Sequence, residues 1–150
     1  MRVNNSEWFE CKVCYDQMQD NGSVKKVKEL YTVDALSFTE SETRIIDEMA
    51  QFISGEYEVT DMKKAKYKEI YFSENDDADI YYQVKIKLIF FDEKTEKEKA
   101  SLYLILVQSN SLQQAVKDVE EIMKGSLSDY RIAEIKETNI VDVIEHKVEG

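Results

Sequence analysis

Proline is absent from this chain of 150 residues, glycine occurs four times, cysteine twice and histidine once. Four glycines cannot build a Walker loop or a dinucleotide fingerprint, both of which need glycine where backbone approaches phosphate. A serine triad would have to use His146, and no Gly-x-Ser-x-Gly elbow accompanies it. Cys11 and Cys14 have CxxC spacing, but no second pair completes a zinc site. No apolar run approaches the roughly 20 residues that span a bilayer. Residues 1–7 (MRVNNSE) hold no apolar segment of the kind found in secretory signals. The lack of proline removes one guard of sheet edges, a role left to lysine. These scarcities predict a cytoplasmic protein that is no enzyme, has no cofactor or metal, and avoids membranes.

What is present is the composition of a folded domain: 43% hydrophobic and 34% charged. The length fits one domain over residues 1–150 with a real core. Net charge is −11 and is unevenly spread, with residues 34–56 at −5 and 73–80 at −4, whereas 8–33 sum to zero. A field of this sign repels nucleic acid at long range. Screening beyond about 8–10 Å still leaves a local basic surface free to act.

Residues 8–18 and 24–34 are rich in aromatic and β-branched side chains, and Asn21-Gly22 between them predicts a tight hairpin turn. Ser37 with Glu40, or Thr39 with Glu42, caps a helix whose apolar face is Ile45, Ile46, Met49, Phe52 and Ile53; Gly55 is the expected stop. Residues 57–72 read as two strands broken near Lys63-Lys64. Residues 80–91 and 99–108 form a second hairpin, the latter strand being the most apolar and so central. Asn110 or Ser111 starts a second helix that buries Ala115, Val119, Ile122 and Met123 and ends at Gly125. Residues 130–137 and 140–145 close the chain as strands, the last with a helical alternative.

The two halves share this layout. Tyr57–Lys63 aligns with Tyr130–Lys136 at an offset of 73, as do Ile46–Met49 with Val119–Ile122 and Val13 with Ile86. Two strand–strand–helix–strand–strand repeats, 8–72 and 81–145, predict an α+β fold: antiparallel sheet with two helices packed on one face. Residues 1–7 read as a variable extension. The arrangement also suggests a pseudo-symmetric, clamp-like domain.

Candidate sites are few. Cys11 and Cys14 lie in a predicted strand, where residues i and i+3 point to opposite faces, so they read as ordinary thiols. The loop Glu74–Asp79 lacks the glycine of an EF-hand, and Lys87 stands where its glutamate would be. Glu40, Glu42, Asp47 and Glu48 are accounted for by the helix dipole and solubility. The suggestive surface is lysine interleaved with aromatics: Lys64, Lys66 and Lys68 in one segment, Tyr81, Lys85 and Lys87 in another. Such pairs hold single-stranded nucleic acid when lysines follow the backbone and exposed rings stack bases. Parity sets Tyr81 with Lys85 and Lys87, but puts Tyr67 and Tyr71 opposite Lys64, Lys66 and Lys68.

Trp8–Val13, Val33–Glu40, Phe52–Glu56, Ala65–Tyr67 and Ile70–Glu74 resemble a family of small acidic proteins of unknown function from gut Bacteroidetes and their phages. The resemblance runs from Trp8 to about residue 145 and implies a cytoplasmic setting with phage or mobile-element association. No activity comes with it. The sequence therefore predicts a non-catalytic binding or accessory protein working through a sheet face or edge, with a protein partner or a second copy favoured. The alternative is a single-stranded nucleic-acid binder of phage or mobile-element type.

Overall fold

A computed structural model describes residues 1–146. The chain runs β1 (Arg2–Asn4), β2 (Trp8–Met18), β3 (Val24–Asp34), α1 (Phe38–Phe52), β4 (Tyr57–Lys64), β5 (Glu69–Phe72), β6 (Ile80–Asp92), β7 (Lys97–Ser109), α2 (Leu112–Met123), β8 (Asp129–Glu137) and β9 (Ile140–Ile144). The fold is α+β, as predicted, with two helices and two sheets. The residues fall into two compact units, Met1–Asn5 with Tyr67–Thr138, and Ser6–Lys66 with the residues from Asn139 onward.

The unit built on the β2–β3 hairpin has sheet order β4-β2-β3-β9. Its first strands fall where alternation placed them. The turn differs: it spans residues 19–23, and of Asn21 and Gly22 only Gly22 takes a positive φ (82°). Asn21 Oδ1 instead accepts from the Ser23 amide at 3.0 Å, bracing a longer loop. Ser37 Oγ caps α1 by accepting from the Glu40 amide at 3.1 Å, while Glu40 reaches back to the Leu36 amide. The helix ends at Phe52 with Ile53 extended, so Gly55 lies beyond the stop and needs no left-handed backbone. α1 lies on one sheet face, where Cys11, Val13, Tyr31, Val33, Ile45, Met49 and Ile144 form the core.

The unit built on the β6–β7 hairpin has order β1-β5-β7-β6-β8. Ser111 is the N-cap of α2, accepting from the Gln114 amide at 3.1 Å, and Gln114 turns its side chain to Asp118 instead of closing a box. Here Val84, Ile86, Ile105, Val107, Val119 and Met123 form the core beneath α2. Within the segment read as an extension, Arg2–Asn4 pairs antiparallel with β5.

The two cores correspond residue by residue. Cys11 and Val13 match Val84 and Ile86 at offset 73; Tyr31, Val33, Ile45 and Met49 match Ile105, Val107, Val119 and Met123 at offset 74. The helices thus align one residue away from the sequence reading, because the second hairpin is one residue longer between matched positions: Val13 pairs with Glu29, but Ile86 pairs with Tyr103. Ile45, the counterpart of Val119, is buried in line with Ser41 and Met49, and Ile46 is exposed.

Both sheets are mixed, where the sequence predicts antiparallel pairing throughout. β9 runs parallel to β3, and β5 parallel to β7. The cause is connection length. β4 pairs antiparallel with β2, which pairs antiparallel with β3, so the place beside β3 runs parallel to β4. Filling it from the end of β4 would need a crossover of about a dozen residues. Only residues 65–68 link β4 to β5, and only 138–139 link β8 to β9. Each repeat therefore contributes its last strand to the other unit's sheet. The equivalent contacts are Ile70 beside Leu106 and Val143 beside Thr32.

Candidate functional site

β4 is an edge strand of its sheet. A groove of about 760 Å³ runs between it and α1, lined by the six consecutive residues Tyr57–Met62 and by Phe38, Glu42 and Ile46. Side chains alternate across a strand, so six consecutive residues can line one groove only where it follows the backbone edge. The unpaired amides and carbonyls of β4 thus border it.

Local sequence shapes the groove. Pairing of β2 with β4 passes from Lys12–Asp61 to Val13–Val59, leaving Thr60 as an extra, bulged residue. Tyr57 donates its hydroxyl to the Ile46 carbonyl at 3.1 Å, tying strand to helix. Phe38 packs edge-on against Phe9, with centroids 5.0 Å apart, yet stays 56% exposed, and Ile46 stays 40% exposed. Phe38 stands in the first turn of α1, ahead of the buried Ser41, Ile45 and Met49, and Ile46 lies on the flank of that stripe, so both stay open to the groove and can meet a partner. Glu42, Glu58 and Asp61 make the rim acidic, and among the described residues none that lines it is cationic. Asp61 meets Lys12 at 4.0 Å, a wide and exposed pair.

A second, smaller cavity of about 340 Å³ opens at the other end of α1. Tyr15, Glu29, Tyr31, Glu48, Met49, Phe52, Ile53, Val141, Asp142 and Ile144 enclose it. Tyr15 and Tyr31 both donate their hydroxyls to the Glu29 carboxylate, the latter at 2.6 Å. Burial, then that hydrogen bond, raises the Tyr31 phenol; for Tyr15 the bond to Glu29 is the first cause. Both rings stay neutral and fixed.

The lysine–aromatic surface is not assembled as predicted. Tyr81 is 3% exposed and has no ring face for a base. Lys85 and Lys87 do share its sheet face, since β6 pairs with β7 without a break, but Lys85 pairs with Glu134 at 3.9 Å. Lys64, Lys66 and Lys68 are exposed, but β4 ends at Lys64, so strand parity does not govern the other two. Lys64 lies 3.9 Å from Glu7. Tyr67 is buried, and Tyr71 packs into the core beneath α2.

Cys11 lies in the core and Cys14 across the strand from it; both are free thiols. Burial pushes the Cys11 thiol up to about 11, against the activation a redox cysteine needs. Among the described residues no group of histidine, cysteine and carboxylate side chains could hold a metal ion. No helix among them is long and apolar enough to cross a membrane. Of the helix carboxylates, Glu40 pairs with Arg44, while Glu42 and Glu48 face the groove and the cavity. Sequence reading missed both sites because each depends on distant pairing: the groove on β4 being an edge, the cavity on β9 lying beside β3. The one usable signal is Ile46, an apolar residue on the flank of the buried stripe Ser41, Ile45 and Met49 of α1.

No curated protein and no solved structure matches the chain. A family model does match, over residues 7–146. The chain therefore belongs to the family described as Domain of unknown function (DUF4494).

Proposed function

We propose that this protein is a non-catalytic binding protein that takes an extended segment of a protein partner onto the outer edge of β4. The observation that carries the reading is the groove in which an unpaired strand edge faces exposed Phe38 and Ile46. Strand addition draws affinity from main-chain hydrogen bonds and specificity from alternate side chains. Phe38 and Ile46 supply apolar contacts, while Glu42, Glu58 and Asp61 favour a segment carrying lysine or arginine. The family resemblance suggests a cytoplasmic setting, with phage or mobile-element association.

The test is fluorescence anisotropy at low salt with a labelled octapeptide alternating lysine and valine, joined to amide hydrogen exchange. The expected result is saturable binding that slows exchange in β4 and is lost in Ile46→Arg. Binding that leaves β4 exchange unchanged, or survives Ile46→Arg, would sink the reading. Light scattering runs alongside, since a dimer protected at β4 would make the partner a second copy. The alternative, single-stranded nucleic acid on Lys64, Lys66, Lys68 and Lys87, would show oligonucleotide affinity falling steeply with salt. With Tyr81 buried it lacks a stacking ring, and the groove reading is preferred.

A further inference from the structure

We infer that the cavity at the C-terminal end of α1 is a binding site for an organic ammonium group, held by Tyr15, Tyr31 and Phe52 and balanced by Glu29, Glu48 and Asp142. The site is built from four elements, β2, β3, α1 and β9, and lies wholly within the β2–β3 unit. It does not rest on the β4 groove.

Three features converge on a positive charge. Among the described residues the cavity wall holds three carboxylates and no cationic side chain. The last turn of α1, with Glu48, Met49, Phe52 and Ile53, contributes to it, and that turn carries no basic residue. Helix carbonyl ends carry partial negative charge, which lysine or arginine normally offsets there. Aromatic rings attract cations through their faces, most strongly where water is excluded. Tyr15 and Tyr31 are held in place by their shared bond to Glu29. Phe52, 73% exposed at the mouth, has no core role to explain it.

The remaining walls select the kind of cation. Met49, Ile53, Val141 and Ile144 are apolar. A calcium or magnesium ion needs about six or more oxygen ligands or retained waters, which these residues do not provide. An alkylated or quaternary ammonium carries its charge inside methyl or methylene groups, so the same walls that exclude a bare ion suit it. At about 340 Å³ the cavity is at the small end of ligand sites, sized for a short-chain amine.

Isothermal titration calorimetry of the full chain tests this with choline, tetramethylammonium and 3,3-dimethyl-1-butanol, the neutral isostere of choline. The expected result is binding of the ammonium compounds and at least about fivefold weaker binding of the alcohol. Phe52→Ala, an exposed position, should weaken choline binding severalfold without unfolding the chain, and Glu29→Gln should weaken it further. Ile46→Arg should leave it unchanged, which separates this site from the groove. N-acetyl-trimethyllysine amide is the second arm: preference for it over choline assigns the ammonium to a peptide side chain. Equal binding of alcohol and choline, no ammonium binding up to about 10 mM, or an unaffected Phe52→Ala variant would overturn the site.

Discussion

Lys85 Nζ lies 3.9 Å from Glu134 Oε2 across the β6–β8 pairing, and Lys12 Nζ lies 4.0 Å from Asp61 Oδ2 across β2–β4. Both pairs sit next to a register shift, between Lys12 and Val13 in one sheet and between Lys85 and Ile86 in the other. The same bridge over the same bulge, 73 residues apart, marks where an edge strand is bent. All four side chains are substantially exposed, so solvent screens the attraction. A double-mutant cycle on Lys85→Ala and Glu134→Ala should return a coupling of about 0.2–1 kcal/mol that fades in high salt. A coupling well above that range would mean the pair holds the bulge itself.

The one-residue difference in helix register has a larger consequence. Ile45 is fully buried in the core under α1, whereas Ile46 faces the groove. Ile45→Ala should cost about 2–5 kcal/mol in urea unfolding. Ile46→Ala should stay within about 0.5 kcal/mol, the range of surface changes. A larger loss for Ile46→Ala than for Ile45→Ala would place the helix in the register that a constant offset of 73 implies.

Thr32 offers a test of opposite sign. It is fully buried, and its hydroxyl has no hydrogen-bond partner among the described residues. Its counterpart in the other sheet, at offset 74, is the buried Leu106. Replacing a buried, unsatisfied hydroxyl with a methyl removes a desolvation penalty at nearly constant shape. Thr32→Val should therefore raise thermal stability, by roughly 1 kcal/mol; a loss of that size would show the hydroxyl is satisfied in solution.

Much of this fold is readable from residue pattern, because the information is local. Alternation from Trp8 to Met18 and Val24 to Asp34 fixes the first hairpin, and the Ser37–Glu40 and Thr39–Glu42 spacings place the start of α1 to within two residues. What is not readable depends on distant pairing. Nothing near Ile70 or Val143 announces a parallel neighbour, since a short apolar strand looks alike on either side. Tyr81 shows the same limit. Parity correctly sets it on a face with Lys85, but parity does not say whether that end of the face is wet. The groove escaped because edge status belongs to the sheet and not to Tyr57–Lys64. The helix carboxylates were read one by one, as dipole and solubility groups, when two of them belong to concave surfaces.

Cys11 gives the fold a dependence on alkaline pH. Burial is the main cause of its raised pKa, about 11 against an ordinary 9.0, because a thiolate in the core loses its hydration. The unfolded chain releases this proton first as pH rises. Its contribution to stability is therefore whole below the ordinary value and is lost progressively between about pH 9 and 11. Urea unfolding of wild type against Cys11→Ala should show a steeper decline in wild type across that window. Parallel curves would mean the thiol ionises as easily folded as unfolded. Native Cys11 should also react with iodoacetamide far more slowly at pH 8 than in urea.

The exchange of last strands makes the two halves dependent on each other. Residues 1–72 contain β2, β3, α1 and β4, but the strand beside β3 is β9. Their own final strand, β5, cannot take that place, because residues 65–68 are too short for the crossover. Residues 73–150 have the mirror defect, lacking β5 beside β7. Each half alone leaves an apolar strand unplaced and one sheet edge open, with Val33 or Val107 near the exposed border. Expressed separately, the halves should show weak, broad thermal transitions by circular dichroism. Mixed at equal concentration, they should form a one-to-one complex with a sharp transition, since each restores the other's missing strand. Inserting about a dozen glycine and serine residues after Ala65 should relax this dependence in the first half, by allowing β5 to reach the edge of β3. Cooperative unfolding of the unmodified 1–72 fragment as a monomer would show that β9 is dispensable, and that the exchanged strand is not required by connection length.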